Sequence, residues 1–175
     1  MKKSLLLFSA LLLLFNCNLK GQNTAPPLPQ RSITARVTKD LCFGDLSLES
    51  SSAGGTVSVD YNGIRSFTGD VYLMNSGESC SPAILEFILC PGRSVKVIYT
   101  TASQLSDGAF SMNMAIGNIS IGSTVITASG QSFFSNKGCN DIHYIQIGGT
   151  LTVGNLLANP PGEYTGSFSV TLAQE

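Results

Sequence analysis

The chain has no tryptophan, a single histidine and few charges, with Asp, Glu, Lys and Arg together making up 12% of its 175 residues. Each scarcity removes a class of function. The charges stand singly, so there is no basic cluster to neutralise a row of phosphates, and nucleic acid is not an expected partner. The one histidine, His143 in "DIHYIQI", shares a period-two row with Ile145 and Ile147 and reads as a satisfied strand residue, not a general base. No G-x-S-x-G turn is present to raise a serine nucleophile. The aspartates, among them Asp40, Asp45, Asp60, Asp70, Asp107 and Asp141, are scattered and form no D-x-D-x-D-G loop. They read as solvated turn carboxylates. The expectation is a protein without catalytic residues, metal or cofactor.

Long apolar runs are also missing, with one exception. "MKKSLLLFSALLLLF" places two lysines before an apolar run of about a dozen residues, which matches a secretory signal and is too short to span a bilayer. Residues 1–21 are therefore expected to be removed, with cleavage after the small Gly21, and the mature protein to be exported to the cell surface, the periplasm or the medium. Cys17 allows a second reading, in which this cysteine carries a lipid anchor. Without Lys2, Lys3 and Lys20, seven basic residues face eleven acidic ones, a net charge of about −4 that suits a soluble surface protein. "NTAPPLPQ" then reads as a proline-rich, extended leader over residues 22–30, before a single domain at 31–175. A chain of this length, 43% hydrophobic, suffices for one domain that buries about two thirds of its unfolded surface.

Four cysteines follow the signal: Cys42, Cys80, Cys90 and Cys139. An even number in an exported chain points to two disulfides, and no C-x-x-C spacing suggests zinc or redox chemistry. If "AILEFIL" is a strand, Cys80 and Cys90 lie roughly 25–30 Å apart at about 3.3 Å per residue, beyond disulfide reach. That leaves two of the three pairings open.

Helical periodicity is absent as well: no window carries an i, i+3, i+4, i+7 stripe, whereas period-two rows recur between glycine-rich breaks. "SITARVT" directs Ile33, Ala35 and Val37 inward. "TVSVDYNGIRSF" reads as a hairpin with a type I′ turn at Asn62-Gly63. "DVYLMN", "AILEFIL", "SVKVIYT", "FSMNMAIGNISI", "STVITA", "DIHYIQIGGTLTV" and a terminal strand over Tyr164–Leu172 complete about nine or ten strands. The fold class is all-β, a two-sheet β-sandwich of immunoglobulin-like outline. Tyr61, Tyr72, Tyr99, Tyr144 and Tyr164 all fall in strand rows, which favours core or half-buried rings over an exposed sugar platform. What such a sandwich offers is edges, where unpaired N–H and C=O groups can accept a strand from another chain.

"LCFGDL", the "GGTVSVDYNGIRS" hairpin, "IGGTLTVGN" and "PGEYTGSFSVTL" together resemble an exported bacterial β-domain family, the domain of unknown function family 4402 (DUF4402), from about Ile33 to Leu172. The closing motif is also similar to the terminal strand of chaperone–usher pilins, with Gly162 in the place of the glycine that opens that strand. The resemblance implies a pilin-like sandwich and pairs Cys42 with Cys80 and Cys90 with Cys139. It further implies a surface or fimbria-like structural subunit that assembles by strand addition with itself or other surface subunits, with an export chaperone as a partner. In such an assembly Ile33, Ala35 and Val37 would be the apolar plugs of an intermolecular strand, and Tyr164, Phe168, Val170 and Leu172 part of the face receiving them. The alternative reading is a self-contained extracellular module that binds carbohydrate or another surface protein.

Overall fold

A computed structural model describes residues 33–74 and 80–175. The signal segment with Cys17 and the proline-rich leader lie outside the described residues. Among these residues there are fourteen strands and no helix. They are β1 (Ala35–Lys39), β2 (Leu46–Leu48), β3 (Gly55–Val59), β4 (Arg65–Gly69), β5 (Val71–Leu73), β6 (Ala83–Ile88) and β7 (Ser94–Tyr99). The second half holds β8 (Ala102–Ser106), β9 (Ser111–Ile121), β10 (Thr124–Ile126), β11 (Gln131–Phe134), β12 (Ile142–Val153), β13 (Thr165–Gly166) and β14 (Val170–Gln174).

The long strands β9 and β12 organise a nine-stranded antiparallel sheet whose main path runs β1-β6-β12-β9-β8-β13. Along the other side of β12, the first half pairs with β6 and the second half, from Gly149, with β3, which in turn carries β4. At this junction a Cβ on Gly148 would collide with the main chain of Val59 and Asp60, so only glycine lets β3 come so close. Across β12 the register with β9 shifts between Ile147 and Gly149. This bulge moves the inward positions of β9 from Met112, Met114 and Ile116 to Ile119 and Ile121, so one strand stays buried over its full length. A second sheet, β11-β7-β14, and a short β2-β5 pair complete the fold.

The two larger sheets pack face to face. Phe87 of β6 meets Phe133 of β11 edge-on at 6.2 Å, and Val95, Val97 and Tyr99 of β7 join Ile145, Ile147 and Leu151 of β12 in one buried cluster. Each such side chain contributes about 1.5–3 kcal/mol on leaving water. The protein is thus an all-β sandwich, as the alternation in its sequence requires. A disulfide joins Cys90, just after β6, to Cys139, just before β12, across a separation of 49 residues.

Several local expectations change. The 59–65 connection is a five-residue loop and not a two-residue type I′ turn: Gly63 alone supplies the positive φ, and the Asp60 carboxylate accepts hydrogen bonds from the main-chain N–H groups of Asn62 and Ile64. The terminal strand is two strands, because residues 167–169 carry the chain from β8 in one sheet to β7 in the other. Three short strands, β2, β8 and β11, have no counterpart in the sequence pattern, since three to five residues give too little alternation to stand out.

Candidate functional site

The residues singled out by the sequence lie at the edges of the sandwich. β1 is the outer strand of the large sheet and pairs only with β6, Ala35 opposite Phe87 and Val37 opposite Leu85. Directly opposed residues point to the same face, so Ala35 and Val37 do share the face of the core. They are nevertheless uncovered: all five side chains of β1 are exposed, Val37 by 59%, because the opposing layer does not extend over this edge. Ile33 alone packs partly against the core. The expectation of an inward, buried β1 is corrected accordingly. Thr38 sits at a register irregularity and bonds the carbonyl of Ile84, and Arg36 and Lys39 put charge on the strand.

The C-terminal group is held in a different sheet. β14 pairs with β7, Val170 opposite Tyr99 and Leu172 opposite Val97, so both point toward the core and are partly buried there, as are Tyr164 and Phe168. Among the described residues no strand pairs with the other side of β14. This edge has no charged side chain, no proline and no register shift from Val170 to Gln174. Glu175 closes its end, where the carboxylate accepts hydrogen bonds from Ser132 of β11 (2.8 Å) and Ser94 of β7 (3.4 Å). At its start, the Tyr164 hydroxyl donates to the carbonyl of Pro160 at 3.0 Å, four residues back, and burial with the Asp107 carboxylate nearby pushes its pKa up. Buried Asn159 pins the preceding loop by accepting from Gly154 N–H and donating to the carbonyl of Ser111. Gly162 lies in the bend before β13 and not in a strand. β1 and β14 are therefore not neighbours within one chain.

The cysteines of the remaining pair come together where β1 leads away from β6. Cys42 N–H donates to the carbonyl of Ser81, and the Sγ atoms of Cys42 and Cys80 stand 3.6 Å apart as a thiol–thiol contact. They are adjacent, as expected, but not bonded in this structure. Burial first, and then the hydrogen bond with Cys42, push the Cys80 thiol up.

The single histidine is sealed. His143 is 3% exposed, stacked on Phe87 at 5.0 Å and edge-on to Phe133 at 5.1 Å. Ser135, 2% exposed, donates its hydroxyl proton to the carbonyl of Leu89 at 2.9 Å, which leaves His143 Nε2–H as the donor to Ser135 Oγ, also at 2.9 Å. A serine and a histidine at this distance would suggest a nucleophile, but neither atom can meet a substrate. Burial lowers the pKa of His143, with Lys137 adding to the effect, so the ring is held neutral. Tyr99 is buried, whereas Tyr72 and Tyr144 are 47% and 48% exposed, contrary to the reading of all five tyrosines as core or half-buried.

The sequence profile of a family described as domain of unknown function (DUF4402) matches residues 33–173, a span that takes in nearly all of the described residues. The chain belongs to this family. For a DUF4402 domain the match runs from Ile33, two residues before β1, to Ala173, the last residue but one of β14, so both edge strands lie within it. No curated protein and no solved structure matches the chain significantly. No helix among the described residues is long and apolar enough to cross a membrane.

Proposed function

We propose that this DUF4402 domain is an exported, non-enzymatic surface or fimbria-like structural subunit that assembles by strand addition, β1 of one copy lying beside β14 of the next. The observation that carries the reading is the mismatch between the two edges. β1 is held by main-chain bonds with every side chain exposed, and β14 has, among the described residues, an unpaired, uncharged edge beside half-covered Val170 and Leu172. A strand that gives up little in its own sheet gains when Ile33, Ala35 and Val37 are buried against a neighbour's Phe168, Val170 and Leu172. Such a head-to-tail contact is heterologous, and repeating it builds a filament.

The test is the size distribution of mature protein from Gln22 onward, on gels run before and after boiling, beside the Val37→Asp variant. Ladders that collapse on boiling and are absent in Val37→Asp support the reading, since Val37 is exposed in the monomer and its replacement leaves the fold intact. A wild-type monomer at all concentrations, or ladders unaffected by Val37→Asp, refutes it and favours a self-contained module.

A further inference from the structure

The outer face of the strands β4-β3-β12-β9-β8, opposite the core, has a composition unlike the rest of the surface. The register places Thr68, Thr56, Thr152, Asn113 and Gln104 side by side in one row across five strands. A second row, displaced by two residues along each strand, runs Ser66, Ser58, Thr150, Ala115 and Ala102. At about 4.8 Å between strands, each row is roughly 19 Å long. Neither row contains a charge or a large apolar side chain. Outward positions elsewhere differ: Arg36 stands opposite Glu86 on β1 and β6, and Lys96 lies on β7.

The side chains are also locked to one another. Thr56 and Thr68 share a hydroxyl hydrogen bond of 2.7 Å, Ser58 and Thr150 one of 2.8 Å, and Gln104 donates to Asn113 at 3.1 Å. Each hydroxyl pair uses one of its two donors and leaves the other, with several lone pairs, for a ligand. The rotamers are thus set before anything binds, which lowers the ordering cost of binding. At the β8 end the rows run into a hollow of about 530 Å³ lined by Gln104, Asn113, Ser103, Gly166 and Ser167 together with Ala102.

We propose that this face binds a neutral polysaccharide presented as an ordered surface. A ligand matched to it must itself be uncharged and rich in hydroxyls that both donate and accept. The absence of charge gives no attraction to phosphate polymers, acidic glycans or anionic lipid, and a protein partner would need the aromatic or aliphatic anchors that these two rows lack. Strand spacing is close to the length of one pyranose ring, so successive sugars can meet successive strands. Without an aromatic ring within the two rows to stack on, a single hydroxyl contact is weak, and retention comes from many contacts made at once on a flat polymer. This inference does not depend on strand addition.

The experiment is depletion of mature wild-type protein from solution by microcrystalline cellulose and by chitin, with and without added salt. Retention on at least one of them, unaffected by salt, is expected, with a loss of at least about tenfold in apparent affinity for Thr152→Asp at the centre of the face. Gln104→Ala at its rim, which removes no core contact, is expected to weaken retention as well, and Tyr144→Ala, on the outward side of β12 beyond the two rows, to leave it unchanged. Circular dichroism establishes that each variant is folded. Failure of both polymers to retain the wild type overturns the proposal. So does retention that both face variants leave intact, that Tyr144→Ala abolishes, or that salt removes.

Discussion

Deleting the chain up to Lys39, so that it begins at Asp40, is expected to leave a folded domain. β1 forms roughly four ladder hydrogen bonds worth about 0.5–1.5 kcal/mol each, and Val37, 59% exposed, and the partly buried Ile33 add about 1 kcal/mol each, a gain of about 4–8 kcal/mol. Ordering residues 33–39 costs about 7–14 kcal/mol in backbone entropy. The largest gain exceeds the smallest cost by only about 1 kcal/mol, so the segment stabilises its own domain by no more than about 2 kcal/mol. Phe87→Ala is the control: this ring is fully buried on the adjacent strand and contacts Phe133 and His143, and its loss is expected to cost about 3–5 kcal/mol. Urea unfolding followed by circular dichroism measures both. A truncation costing as much as Phe87→Ala would show that β1 is integral to the core, and the argument that it is available for exchange would fail. A truncation within about 2 kcal/mol of wild type, combined with loss of ladders, would assign β1 to assembly.

Four further outcomes are expected. His143 is neutral and buried, with a pKa below its usual value of 6.5; at higher pH both folded and unfolded states are neutral and stability is full, but as pH falls below 6.5 the unfolded chain takes up the proton first and stability declines. Urea midpoints at neutral pH and near pH 5 should therefore separate for the wild type and converge for His143→Gln, and a pH-insensitive wild type would contradict the buried neutral ring. In denatured, unreduced mature protein from an oxidising compartment, thiol titration should find no reactive thiol, because Cys42 and Cys80 are close enough to oxidise without rearrangement of the strands. Removing Cys90–Cys139 by double serine substitution should cost about 3–4 kcal/mol for a loop of its length. Gly148→Ala should destabilise by about 1–3 kcal/mol, since the new methyl meets main chain and not a movable side chain, and an unchanged melting temperature would place β3 farther from β12 than described.

What the sequence determined by itself is what depends on near neighbours along the chain. Alternation at period two is local, so the long rows of β6, β7, β9 and β12 identified an all-β fold and the inward positions of those four strands. The same row placed His143 beside Ile145 and Ile147, and it is buried with them. Strand length alone separated Cys80 from Cys90, and Cys90 is bonded to Cys139, the pairing that the family resemblance implied. Only the tertiary structure decided which strands share a sheet and which lie at an edge, because antiparallel pairing joins residues distant in sequence. Alternation says which way Val37 points, but not whether a second layer stands over it. Likewise the row from Tyr164 to Leu172 looked like one strand, although a crossing between layers interrupts it, for each half satisfies the same local pattern in a different sheet. The hydroxyl rows are the clearest case. Ser58 and Thr150 bond across 92 residues of chain, and nothing in the local sequence of either names the other.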